Sequence, residues 1–247
     1  MHFGIFAPGA FAVAFAIVLT AFFVRGIVGF GSGLISVSLL ILLIPIRVAV
    51  PIVYVVDTVG SFALGTYDFK HIRWTEMPWL WPATVLGLAV GAFVLKHAPA
   101  QHLTLILGLF ILLYVAYALA VRPERLPLIG RAWGGPLGFL GGVIGSLYGG
   151  GGPAIVAYLQ MRKLDKRVFR ATFQFIAITD GVVRGALYWA IGLLQPAVLE
   201  TGLWLLPAVA LGLWAGNRLH FRIRPRPFQL ATLALLAAAG LKLMLPL

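Results

Sequence analysis

Four ionisable side chains sit where a hydrophobic sequence should not carry them. Asp57 lies in the middle of the apolar stretch 49–67, Asp180 and Arg184 lie inside 169–193, and Arg25 just precedes a cluster of glycines. A charge at the centre of a membrane helix costs roughly 2.5–3.5 kcal/mol on insertion scales, so it persists where it is paired, faces a cavity or serves a function. Asp180 and Arg184 are four residues apart and share a helix face. They suit either a self-neutralising pair or an arginine that exchanges its carboxylate for an anionic ligand. Asp57 has no basic residue within a helical turn. Its carboxyl is suited to carrying a proton through a cycle, or to hydrogen bonding a neighbouring helix. Arg25 reads as an anchor at a helix end or as a charge that attracts an anion. Proton coupling is expected at Asp57 and Asp180, and anion contact at Arg184 and Arg25.

Two glycine clusters supply a second kind of chemistry. Residues 25–38 read RGIVGFGSGLISVS and residues 141–158 read GGVIGSLYGGGGPAIVAY. In lipid, irregular backbone is tolerated only inside protein or beside a water-filled cavity. Gly149 to Gly152 followed by Pro153 breaks a helix and starts another. A helix start presents free N–H groups and a partial positive charge, and glycine lets an anion approach that backbone closely. The expected substrate-binding backbone is Gly31, Ser32 and Gly33 in the first break and Gly149, Gly150, Gly151 and Gly152 in the second. Tyr54 and Gln174 precede the two aspartates by a turn or so and join the candidate set. The competing reading of the glycines is close helix packing.

The elements that must position these groups are membrane helices. Of 247 residues, 61% are hydrophobic and 11% charged, and mean hydropathy is +1.00. Such a chain lacks the polar residues to cover a soluble surface, so membrane lipid is its expected solvent. Ten apolar segments run roughly 4–24, 27–45, 49–67, 78–96, 102–121, 132–147, 150–161, 169–193, 202–219 and 227–246. The first reads as a membrane helix, not a signal peptide, because Arg25 follows it and no basic stretch precedes it. The net charge of +12 sits in the loops, as expected beside anionic lipid, and does not argue for nucleic acid. There is no cysteine, and His2, His71, His97, His102 and His220 lie at segment ends in no metal-ligand spacing. No metal or cofactor is expected. The seven tryptophans suit an interfacial belt.

The segments fall into two copies. WLWPATVLGLAVG at 79–91 and WLLPAVALGLWAG at 204–216 match at eight of thirteen positions with an offset of 125. Upstream an offset of 120 pairs Gly29 with Gly149, Gly31 with Gly151, Ile35 with Ile155, Leu39 with Leu159, Arg47 with Arg167, Tyr54 with Gln174 and Gly65 with Gly185. Lysine and arginine concentrate in 68–76, 122–131, 162–170 and 218–226, whereas 194–201 has none. The base-rich loops are expected on the cytoplasmic side. Equivalent loops of the two halves then face opposite ways. The expected fold is an all-α polytopic membrane protein with two inverted-topology repeats of five segments, 1–122 and 126–247. Both termini are expected outside the cytoplasm. Inverted repeats are common in secondary transporters.

The sequence resembles the TauE/SafE family of bacterial membrane proteins, described as sulfite and organosulfonate exporters. The resemblance rests on GFGSGLISVS at 29–38, on YGGGGPAIVAYL at 148–159 after Gly141, Gly142 and Gly145, and on the two Pro-x-x-x-Leu-Gly-x-x-x-Gly segments at 82–91 and 207–216. The family typically has a Gly-Gly-Gly core in each hairpin. Here Ser32 replaces the central glycine of the first, and Ser38 stands where a proline is frequent; neither change removes an N–H donor from the loop. The resemblance implies export, across the bacterial inner membrane, of a small sulfur-containing anion such as sulfite, an organosulfonate or thiosulfate. An enzyme would need a nucleophile-base pair or metal ligands at depth, where no His or Cys is available. A non-transporting scaffold and an anion channel are the other readings.

The topology is testable on this cysteine-free chain. A cysteine at Gln195 should react with an impermeant maleimide from outside intact cells, and one at Arg167 should not. Equal labelling of both would refute the opposed orientation of the two loops.

Overall fold

The computed structural model describes residues 4–64, 69–121, 126–149, 152–219 and 225–245. Gly65, Gly150, Gly151, Arg122, Arg125, Arg222, Arg224, His2 and His220 lie outside them. Among the described residues there are ten α-helices: α1 Pro8–Val28, α2 Ser32–Leu40, α3 Ile46–Leu64, α4 Met77–His97, α5 Ala100–Ala120, α6 Gly134–Tyr148, α7 Gly152–Met161, α8 Lys166–Ala190, α9 Pro196–Leu219 and α10 Pro225–Met244. The chain is an all-α polytopic membrane protein, and six of these helices are long and apolar enough to cross a bilayer.

Several expected boundaries shift. The second segment, read as 27–45, is only a nine-residue helix followed by a turn. At a rise of about 1.5 Å per residue it is about 14 Å long, roughly half the hydrocarbon thickness. Hydropathy could not find this end, because the turn at Ile41 to Leu43 is itself aliphatic. Helix α7 has ten residues and is similarly short. Helices α8 and α9 begin earlier than hydropathy placed them, since Lys166 and Pro196 are polar or helix-opening residues outside the apolar run.

Helix pairing is set by small residues. Helix α4 lies against α6, and α1 against α9. A Cβ on Gly87 would overlap the Phe139 carbonyl oxygen, and one on Gly212 would lie 2.6 Å from the Leu19 carbonyl oxygen. The backbones therefore touch, as small residues allow between membrane helices. Around these pairs α5 packs on α10, α3 on both α8 and α9, and α8 on α4. Large side chains such as Leu86, Phe93, Leu113 and Trp214 stay exposed on the outside, where lipid is the solvent.

Packing without a Cβ makes these glycines sensitive. Gly87→Val and Gly212→Val should each cost more than the roughly 1–3 kcal/mol typical of overpacking, because the obstructing atoms are backbone. Thermal unfolding of the detergent-solubilised protein measures this. A midpoint within a degree of wild type would contradict the contact.

Candidate functional site

Both glycine breaks end a helix in the same way. Helix α1 terminates at Gly29 with φ 93°, and α6 terminates at Gly149 with φ 66°, each a left-handed cap whose N–H bonds back to the residue four earlier, Arg25 or Gly145. Gly31, with φ 96°, then precedes α2. Only glycine adopts these angles without strain. The two breaks meet: a Cβ on Gly33 would overlap the Gly149 carbonyl oxygen. Helices α2 and α7 thus begin next to one another, each with the unpaired N–H groups of a first turn.

A cavity of about 410 Å³ opens at this junction, within the roughly 300–1,000 Å³ usual for small-molecule sites. Gly31, Ser32, Gly33, Gly149 and Gly152 line it, together with Arg25, Asp57, Ser61, Asp180 and Arg184. Nine of the thirteen sequence-selected residues line it: Arg25, Ser32, Asp57, Asp180 and Arg184, and the glycines Gly31, Gly33, Gly149 and Gly152. Gly150 and Gly151 lie outside the described residues. Tyr54 and Gln174 do not line the cavity. Tyr54 Oη donates to the Gly181 carbonyl at 3.1 Å, and Gln174 Nε2 donates to the Ser61 carbonyl at 2.7 Å, so they fasten α3 to α8 behind it.

The charges pair differently from their sequence neighbours. Asp57 does have a basic partner, Arg25 on α1: Nη1 is 2.7 Å from Asp57 Oδ1. Ser32 Oγ donates to the same carboxylate oxygen and accepts from Arg25 Nη1. Arg25 Nη2 donates to Ser61 Oγ at 2.7 Å. Asp180 and Arg184, by contrast, form no ion pair among the described residues. Arg184 Nη1 donates instead to the Gly145 carbonyl at 2.8 Å, and its guanidinium lies 5.0 Å from the Tyr54 ring centre. Arg184 Nε and Asp180 Oδ1 are buried without a hydrogen-bond partner. The i, i+4 spacing permits contact, but the carbonyls at the end of α6 offer Arg184 a better acceptor.

Sequence reasoning passed over the apolar lining. Phe30, Phe173 and Phe228 and Tyr114 of α5 face the cavity, and Thr232 of α10 contributes to its wall. Nothing in their spacing distinguishes them from lipid-facing residues. It also passed over Glu76, one of the few acids among the base-rich loops. Among the described residues, no group of three His, Cys, Asp or Glu side chains gathers to hold a metal ion.

Comparison with known proteins agrees with this picture. A family model described as sulfite exporter TauE/SafE matches residues 13–243. A probable inner membrane transporter protein TsaS of Comamonas testosteroni is 26% identical over 194 residues, which cover 78% of this chain and 81% of that protein. No solved structure matches the chain.

The two breaks predict different costs at neighbouring glycines. Gly31 has open space where a Cβ would project, so Gly31→Ala should cost only the left-handed strain, about 1–2 kcal/mol. Gly33→Ala must move the Gly149 backbone and should cost more than this. Equal unfolding midpoints for the two variants in detergent would argue against the direct contact of the breaks.

Proposed function

The chain belongs to the TauE/SafE family of membrane transporters, and on that premise we propose that it is a proton-coupled secondary transporter exporting a small sulfur-containing anion. Sulfite, an organosulfonate or thiosulfate fits this class. The observation that carries the reading is the convergence of two helix starts and two arginines on one cavity. Free N–H groups of α2 and α7 attract an anion by charge and by hydrogen bonding. Arg25 and Arg184 add full positive charge, and guanidinium geometry matches an oxyanion.

Asp57 gives this site a route to coupling. Its carboxylate occupies Arg25 and Ser32 at the place where an anion would bind. Anion and ionised Asp57 compete for one guanidinium, so proton uptake by Asp57 releases Arg25 to the substrate. Proton and anion are then carried together, and net export runs down the anion's own gradient. Asp180, without a hydrogen bond on Oδ1, is the second carboxyl able to exchange a proton with the cavity. In this reading Gly31, Ser32, Gly33 and Gly149 to Gly152 cradle the anion. Tyr54 and Gln174 hold the framework.

An inverted repeat of 1–122 and 126–247 would support alternating access across this site. Gly87 and Gly91 abut the carbonyls of Phe139 and Val143, while Gly212 and Gly216 abut those of Leu19 and Phe23. The contacted residues differ by the same 120 that relates the halves in sequence. Tyr54 to Gly181 and Gln174 to Ser61 obey it also. Arg47 caps the end of α4 at Leu95 and Ala98, whereas Arg162, close to the repeat partner of Arg47, reaches Glu76 at the start of α4. Neighbouring regions of the two halves at opposite ends of one helix support the inverted reading. On this reading the base-rich end is cytoplasmic and both termini lie in the periplasm.

Reconstituted flux tests the proposal. Uptake into proteoliposomes, screened with sulfite, sulfate, thiosulfate and methanesulfonate, should saturate with one or more anions and respond to an imposed pH gradient. Asp57→Asn should keep anion binding and lose the pH response. An unchanged response would move coupling to Asp180. Flux that does not saturate would favour a channel, and no flux with any anion would favour a scaffold.

A further inference from the structure

We propose that Glu76 is the positioning residue of a latch that holds α7 and closes the cavity at the base-rich end, and that this latch opens and re-forms in each transport cycle. The proposal rests on the alternating-access reading above. Glu76 is fully buried at the start of α4. Its carboxylate accepts from Arg162 Nε and Nη2, both at 3.1 Å, and from the Tyr158 hydroxyl, with Arg131 Nε at 3.7 Å. Arg162 Nη1 also donates to the Ile129 carbonyl, and Tyr158 Oη reaches the Arg131 carbonyl at 3.4 Å. One side chain thereby joins three distant stretches: the start of α4, the connection between the halves, and the end of α7.

Helix α7 links this cluster to the cavity. Its first residues Gly152 and Pro153 and then Ile155 line the cavity, while Tyr158 and the following Arg162 bind Glu76. A helix of ten residues moves as one piece, so release at the Glu76 end displaces the anion-facing N-terminus. Among the described residues the other half has no equivalent latch. At the offsets of 125 and 120 the counterparts of Glu76 and Tyr158 are Thr201 and Ser38. Thr201 Oγ1 accepts from the Ile5 N–H and donates to Ala197 O, and Ser38 Oγ donates within its own helix. The charged closure is therefore one-sided.

The solvent exposure of the partners fits a closure that opens. The Arg131 side chain is 48% exposed and that of Arg162 15%, against 0% for Glu76. Opening leaves both guanidiniums able to reach water, and Glu76 is the group that must be hydrated. The hydrogen-bonded carboxylate raises Arg162 above its usual pKa, so its positive charge is permanent. A static tie between helices is served as well by packed hydrocarbon; an ion pair with water-accessible partners has a second state to go to.

Access to the cavity tests the latch without transport. Ala177 lines the cavity, and Ala177→Cys puts a single thiol on the cysteine-free chain. Its reaction with an impermeant maleimide is followed in inside-out vesicles. Glu76→Gln should speed labelling about tenfold or more, the weight of one hydrogen bond to an ionised group. Tyr158→Phe keeps both arginine contacts and should also speed it about tenfold, since its hydroxyl donates to the ionised Glu76 carboxylate; it carries the test should Glu76→Gln fail to insert. Unchanged labelling in the variants overturns the latch. Methanesulfonate, which does not consume maleimide, reads the anion site separately. Protection of the introduced thiol by methanesulfonate with no effect of the variants sinks the latch alone. Faster labelling in the variants without protection leaves the latch standing and counts against the sulfonate reading.

Discussion

A backbone amide in hydrocarbon has no water to turn to. Each unsatisfied group there costs several kcal/mol, and this constraint organises the protein. Two helices are broken at Gly29 to Gly31 and after Gly149, and the breaks are placed against one another inside the bundle. The carbonyls at the end of α6 are taken up by Arg184 at Gly145 and by the Tyr188 hydroxyl at Ser146, two residues one turn apart on α8. Among the described residues, the first residues of α2 and α7 have no such side-chain partners on their N–H groups, and they line the cavity. On the proposed reading, an anion or water is what satisfies these helix starts.

The same cost governs the charges. Arg25 and Asp57 are carried into the bundle by different helices and neutralise each other there, with Ser32 and Ser61 as further hydrogen-bond partners. Removing one member of such a pair typically costs about 3–5 kcal/mol, because the other remains buried and charged. On the proposed reading a substrate anion would meet that cost by replacing the carboxylate, and the pair does line the cavity. At the α4 end, Glu76 satisfies the same requirement with two arginines and a tyrosine.

Close packing carries the rest. Lipid tails are as apolar as the helices, so association depends on van der Waals contact and hydrogen bonds. Gly87, Gly91, Gly212 and Gly216 bring backbones together in α4–α6 and α1–α9. Tyr54 and Gln174 tie α3 and α8 by reciprocal bonds to Gly181 and Ser61. Glycines chosen for their breaks and glycines chosen for their packing thus coexist in one sequence: Gly29 and Gly31 have room for a Cβ but unfavourable angles for one, whereas Gly87 has the reverse.

The amino-acid sequence determined what depends on neighbours along the chain. Hydropathy located the membrane helices, consecutive glycines located the breaks, and matched Trp, Pro and Gly positions exposed the internal correspondence. Tertiary structure decided what depends on neighbours across it. Asp57 has no base within a turn of sequence, yet Arg25, thirty-two residues earlier, is its partner. Asp180 and Arg184 have ideal spacing, yet Arg184 turns to α6. Glu76 gave almost no signal alone, because its meaning depends on Arg162, eighty-six residues away. Tyr54 and Gln174 were legible as equivalent, but only the packing of α3 on α8 sets them behind the cavity. Periodicity records which way a side chain points from its own helix; which helix it meets is fixed by the fit of ten helices into one bundle.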